Sequence, residues 1–201
     1  MYVPAHFRED RIPVLHDAMR QFAFATLVTQ GPGGIEANHL PLLLDSEAGI
    51  LRGHVARANP VWRDLKPGDA VLAIFMGPHA YVSPNWYPSK AETGKAVPTW
   101  NYLTVHARGS VTLFEDGDWL RAHVAGLSDT HEAGRPDPWA ITDAPPAYIE
   151  SMLRAIVGIE IVLTSLEGKW KLSQNRPADI EGVREGLKQD GQTALAALMK
   201  P

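Results

Sequence analysis

The chain has 201 residues, enough for one full hydrophobic core and cramped for two independent domains. Hydrophobic residues make up 45% and charged residues 21%, the proportions of a folded chain rather than a disordered one. A net charge of -4 removes any global attraction to nucleic acid or an anionic membrane, and the absence of cysteine removes disulfides and thiolate metal sites.

The absence of cysteine suits a reducing compartment, so the cytoplasm is the expected location. The N-terminus "MYVPAHFREDRIP" carries no apolar signal core. No window approaches the roughly 20 apolar residues needed to span a bilayer, so no membrane partner is expected.

In chain order, residues 11 to 21 place Ile12, Leu15, Ala18 and Met19 at helical spacing, which predicts a short amphipathic helix. "FAFATLVTQ" is a strand by its aromatic and β-branched content, "GPGG" a turn, and "IEANHLPLLLD" the returning strand of a hairpin. "AGILRGHVA" reads as a third strand, "NPVWRDL" as a helix stopped by "KPGD", and "AVLAIFMG" as a fourth strand. "HAYVSPNWYP" extends the sheet until its prolines, and "SKAETGKAVP" is a loop by composition.

"TWNYLTVHARGSVTLFE" is a long strand, or two joined through Gly109. "DGDWLRAHVAGLSDTHE" and "PPAYIESMLRAI" are helices, the first capped by its leading acids and the second opened by paired prolines. "VGIEIVLTSLEGKWKLSQN" reads as a hairpin turning at "EGK". The tail from Pro177 is helical in pattern, with Gly186 and Gly191 expected to break it into short pieces.

About six or seven strands, mostly hairpin-linked, with helices at start, middle and end predict an antiparallel barrel with helical decoration. Strands follow strands too often, without crossover helices, for a doubly wound parallel sheet. The expected organisation is a single domain over residues 1–201 with a helical C-terminal extension.

Three stretches could carry chemistry. In "GHVARANPVW", Asn59 is a preferred N-cap and Pro60 a preferred first helical residue, and the free N–H groups of a helix start attract an anion. Arg57 adds a planar fork suited to phosphate and His54 a further donor, so the stretch can serve as a phosphate cradle or merely as a capped surface helix.

"YVSPNWY" and "VPTWNY" gather Tyr81, Trp86, Tyr87, Trp100 and Tyr102 about one loop, rings that can hold a planar heteroaromatic ligand or fill a core. In "GKWKLSQNR", alternation sends Lys169, Lys171 and Ser173 to one face and Trp170 and Leu172 to the other. That polar strand end could donate to a ligand's carbonyls, or form a solvated edge. No Gly-rich phosphate loop, zincin motif or nucleophile elbow is present, and no metal site is expected from the eight histidines.

"MYVPAHF", "NHLPLLLD", "GHVARANPVW", "GPHAYVSPNWY", "VPTWNY" and "GIEIVLTSLEGKWKLSQNR", in this order, make the chain resemble the PaiB-type FMN-binding proteins, described as negative transcriptional regulators. The resemblance runs from residue 1 to about residue 185. It implies an FMN-binding split β-barrel, mainly antiparallel β with peripheral helices, acting as a homodimer with FMN near the subunit interface. Carried over by position, it gives His54, Arg57 and Asn59 the flavin phosphate. It lays Thr99, Trp100 and Asn101 along the flavin, followed by Ser173 and Gln174.

Two function classes follow from the resemblance. One is a flavin-binding transcriptional regulator, although no helix-turn-helix is visible and the acidic balance does not favour direct contact with DNA. The other is an FMN-dependent oxidoreductase or flavin reductase acting on a nicotinamide or another small substrate, in which the cofactor does the chemistry and no catalytic triad is needed. No catalytic residue can be named from the sequence. A flavin carrier and a haem-binding variant of the same barrel are further alternatives.

Overall fold

The structure is a computed structural model in which residues 1–199 are described. The first half comprises β1 (Arg8–Glu9), α1 (Ile12–Gln21), β2 (Phe24–Gly31), β3 (Gly34–Pro41), β4 (Leu43–Asp45), β5 (Ile50–Ala56), α2 (Val61–Asp64) and β6 (Ala70–Val82). The second comprises α3 (Ser89–Thr93), β7 (Thr99–Phe114), α4 (Gly117–Glu132), α5 (Pro146–Leu153), β8 (Ile156–Lys171), α6 (Ile180–Gln189) and α7 (Thr193–Leu198). The sheet order is β3-β2-β6-β7-β8-β5-β4, with β1 added to β8. The β2–β3, β2–β6, β4–β5, β5–β8 and β1–β8 pairs are antiparallel, the architecture that a hairpin-linked order predicts.

The chain forms two compact units. One contains Met19–Ile74 and Ala107–Leu166. In it β5 pairs with β8 from Ile50↔Val162 to Ala56↔Ile156, and Leu51, Val55, Val157, Ile159 and Ile161 are buried. Gly109 sits within β7 because a Cβ there would lie 2.4 Å from the Val162 carbonyl, so β7 continues through it as one strand. Helix α4 starts at Asp116, whose carboxylate accepts from the Trp119 N–H at 2.8 Å, and it buries Leu120 with Ile149 and Leu153 of α5.

The other unit contains Met1–Ala18, Phe75–His106 and, among the described residues, 167–199. Its core joins Ala80, Val82 and Tyr87 to Leu172 and to the apolar side of α6 and α7. Gly182 and Gly186 do not interrupt α6; Cβ atoms there would lie 2.1 Å from the Trp86 carbonyl and 2.2 Å from the Trp86 ring. Close packing therefore explains these glycines, and the break comes only at Gly191, with φ +76°.

Two further expectations change. The "EGK" stretch is not a turn: β8 runs unbroken from Ile156 to Lys171, and Gly168 pairs with Glu9 of β1. A side chain at Gly168 would meet the Leu15 side chain at 2.3 Å, so the glycine serves close approach within a strand. The 89–98 loop contains α3, whose first residue is held by Asp179: its carboxylate accepts from Ser89 N–H at 3.0 Å and Ser89 Oγ–H at 2.9 Å.

Candidate functional site

The expected site residues fall into two groups, one in each unit. His54 lies near the end of β5, and Arg57 and Asn59 follow in the turn to α2. Asn59 Oδ1 accepts the Val61 N–H at 3.0 Å, and Asn59 Nδ2 donates to Asn38 Oδ1 at 2.7 Å. The helix it caps is four residues long, so little dipole builds up behind it.

Arg57 is drawn inward. Its Nε donates to the Arg154 carbonyl at 2.8 Å and its Nη2 to the Ile156 carbonyl at 3.1 Å, while Nη1 pairs with the Glu115 carboxylate. The guanidinium also lies 5.6 Å from the centre of the Trp62 ring.

His54 has a partner that no motif in the sequence signals. Its Nδ1 lies 3.1 Å from His123 Nε2, so one ring donates and the other accepts. His123, on α4, is 5% exposed and stacks on Trp119, which stacks in turn on Phe114 with ring planes 4° apart. Burial, then the neighbouring His54 and Arg52, lower the His123 pKa to about 4, and burial lowers that of His54. Both rings are therefore neutral near pH 7.

The second group is divided by strand alternation. Thr99 and Asn101 face a cavity of about 230 Å³, and Ser173 faces it from the end of β8. Trp100 points the other way, 53% exposed, towards His79, Tyr102 and Met76, with its ring 5.9 Å from His79 and 6.4 Å from Tyr81. Gln174 is exposed and folds back on its own strand: its Oε1 accepts the Leu172 N–H at 2.7 Å and its Nε2 donates to the Trp170 carbonyl at 2.6 Å. This clamp accompanies the left-handed backbone of Ser173, at φ 66°, a strained conformation for a non-glycine residue.

Around the cavity, Asn101 is fully buried and its Nδ2 donates to Ser173 Oγ at 2.9 Å. Asn101 Oδ1 has no hydrogen-bond partner among the described residues. Lys171 Nζ donates to Thr99 Oγ1 at 2.6 Å and to the Trp100 carbonyl at 2.5 Å. Its pKa is lowered, first by burial and then by the nearby Lys169 charge. Arg176 stacks over Tyr87 at 5.0 Å and pairs with the buried Asp179 at 3.3 Å. Phe7 and Tyr87, both buried, supply flat walls.

Lys171 and Arg176 stood in the same sequence stretch as Ser173. Phe7 belongs to the N-terminal block "MYVPAHF", and only folding brings it to this cavity. The available signal was the position of that block among the six that carry the resemblance.

The arrangement offers cations, hydroxyls and aromatic walls in one place, which suits a planar, electron-rich ligand. Residues 1–165 match the model of a family described as "Putative FMN-binding domain". The chain is 34% identical to the protease synthase and sporulation protein PAI 2 of Bacillus subtilis, over 94% of this chain and 90% of that protein.

Among solved structures, the FAD and heme binding protein of Mycobacterium smegmatis aligns with a TM-score of 0.59 and 15% identity, over 81% of this chain and 71% of that one. A flavocytochrome of Azotobacter vinelandii aligns with a TM-score of 0.59 and 11% identity, over 84% of this chain and 72% of that one. At such identities the likeness concerns the fold, which is the split β-barrel.

Proposed function

Because the chain belongs to the family of FMN-binding domains, with FMN as its cofactor, we propose that Thr99, Asn101 and Ser173 hold the flavin ring system and that the bound flavin is used for redox chemistry on a small partner molecule. The observation that carries this reading is Asn101. Fully buried, it donates from Nδ2 to Ser173 Oγ at 2.9 Å and so fixes at the cavity wall a hydroxyl that, with Thr99 and Lys171, can bond a flavin's carbonyls between the flat walls of Phe7 and Tyr87. The residues present therefore fit the cofactor.

FMN supplies a redox-active ring that accepts or gives electrons; the chain's own groups bind, orient and charge its surroundings. Lys171, half-buried and without a carboxylate partner among the described residues, provides positive potential that favours electron-rich ligands. Gln174 acts by holding Ser173 in place. The exposed Trp100 indole offers a face for stacking.

In the other unit, His54, Arg57 and Asn59 are proposed on their own account as a phosphate-binding group. Arg57 would exchange its Glu115 partner for phosphate oxygens, a charge-assisted replacement. Homodimerisation is part of the proposal and is supported by Met76, Tyr81 and Trp100, large apolar side chains that are 48–53% exposed.

A second reading is regulatory, supported by the name of the Bacillus subtilis relative, which speaks of protease synthesis and sporulation. With a net charge of -4, such regulation would run through the flavin state and a protein partner rather than through direct DNA contact.

The test is anaerobic titration of the FMN-loaded protein with NADH and NADPH, followed by absorbance. Rapid bleaching of the flavin supports the oxidoreductase. Stable flavin binding without bleaching by either nucleotide, or by dithionite-independent donors, leaves the regulatory reading. Absence of saturable FMN binding overturns both.

A further inference from the structure

The stretch from Ser89 to Pro98 forms a strap beside the cavity, held at its ends rather than along its length. The strap and the groups that hold it belong to one unit. At the first end the buried Asp179 carboxylate accepts from the Ser89 N–H at 3.0 Å and the Ser89 hydroxyl at 2.9 Å. At the other end Lys171 Nζ donates to Thr99 Oγ1 at 2.6 Å and to the Trp100 carbonyl. Between them α3 buries no side chain, and Ala96 alone of residues 89–98 packs against the core cluster of this unit. Little apolar packing therefore resists a movement of the strap.

Val97 lines the cavity and yet is 69% exposed, so an apolar side chain stands at the rim with area still to bury. Gly94 ends α3 with φ +65°, and a Cβ there would meet no atom within 4 Å. The glycine serves conformation rather than packing, as a hinge requires.

Charge gives the strap a direction. Lys171 and Arg176 line the cavity, and none of its lining residues is acidic. Asp179 offsets Arg176 at 3.3 Å, whereas Lys171 meets only neutral acceptors. Lys95, next to the hinge, has no side-chain hydrogen bond or ion pair among the described residues. Bringing this third cation towards the other two is repulsive until an anion stands between them. The anion's lone pairs accept from Lys171 and Arg176, and its remaining charge attracts Lys95. At about 230 Å³ the cavity is smaller than the ~300 Å³ at which sites begin to enclose a whole small ligand, so it suits the charged end of one.

We propose that residues 89–98 are a lid that closes over this cavity when a phosphate or carboxylate group enters it, turning at Gly94 and bringing Lys95 and Val97 onto the ligand. Asp179 is the pivot, because it holds Ser89 and Arg176 together while the rest of the strap moves. The lid does not rest on the flavin reading: a free phosphorylated or carboxylated molecule closes it, and so does the phosphate of a flavin.

The test is tryptic cleavage of the native full chain after Lys90 and Lys95, each followed by alanine, at constant ionic strength. The probes are inorganic phosphate, acetate, FMN and riboflavin, with binding of each followed by calorimetry. Hydrogen exchange of α6 is the control for general stabilisation. A bound anionic probe is expected to slow both cuts at least about fivefold, with α6 unchanged, because cleavage follows the open population. Lys95→Gln should bind the same probe about two- to fivefold more weakly, the size of an exposed charge pair, and lose most of the protection after Lys90.

Protection by FMN but not by bound riboflavin names the flavin phosphate as the closing group, while equal protection by both overturns the anion requirement. Protection by phosphate or acetate without FMN binding supports the lid and overturns the FMN reading. Bound FMN with no protection by any probe, or full protection retained in Lys95→Gln, overturns the lid and leaves FMN binding standing. Binding of none of the four overturns both.

Discussion

His123 makes the stability of this protein fall in mild acid, by an amount the structure sets. Its ring is 5% exposed, stacked on Trp119 and bonded to His54, and its pKa is lowered from 6.5 to about 4. A base held neutral by burial binds its proton later in the folded than in the unfolded state. Between pH 6.5 and about 4 the unfolded chain therefore carries more protons, and stability falls as pH falls.

The full difference is about 3 kcal/mol, most of it reached by pH 4.5. His54, shifted in the same direction by burial, adds to it. The charged groups about the pair are Arg52 and its partners Asp45 and Glu160, and the arginine disfavours a second positive charge. The assay is urea denaturation of flavin-free protein at a series of pH values from 7.5 to 4.5, for wild type and His123→Gln. The glutamine cannot titrate and should remove most of the slope. Equal losses in both proteins, or a flat wild-type profile, would refute the reasoning.

Other substitutions have expected outcomes of their own. Gly158→Ala would place a Cβ 2.2 Å from the Trp119 ring, and overpacking of this kind costs about 1–3 kcal/mol, to be read by chemical melts and by a change in tryptophan fluorescence. Asn59→Ala loses the cap on Val61 and the bond to Asn38, for about 1–2 kcal/mol of stability, with Asn59→Asp keeping the cap and losing the second bond. Asp179→Ala strips Ser89 and Arg176 of a buried carboxylate and should destabilise by about 2–4 kcal/mol; an unchanged denaturation midpoint would show that α3 does not depend on it. Arg57→Ala should weaken FMN at least about tenfold if Arg57 reaches the phosphate, whereas a lower melting temperature with unchanged FMN affinity would assign it to the fold alone.

The order of strands and helices was legible because periodicity and turn chemistry are local. "GPGG" ends β2 and opens β3, Asp116 caps α4, and the paired prolines stand at the start of α5. What misled was glycine: Gly168 and Gly186 resemble breakers in one dimension, yet each makes room for a side chain from elsewhere, Leu15 for the first and Trp86 for the second. A glycine's need for space is invisible until its neighbour is known.

The candidate site shows the same division. The family resemblance marked Thr99, Trp100, Asn101 and Ser173, and the parity of β7 already implied that Trp100 would face away from Thr99 and Asn101. Composition and the six sequence blocks determined the fold class, the family and the cofactor, because these depend on patterns along the chain. Only tertiary structure turned Arg57 inward to two carbonyls and Glu115, paired His54 with His123 across 69 residues, and left one buried oxygen on Asn101 without a partner. Hydrogen-bond satisfaction and burial are properties of what surrounds a group, and the surroundings exist only once the chain has folded.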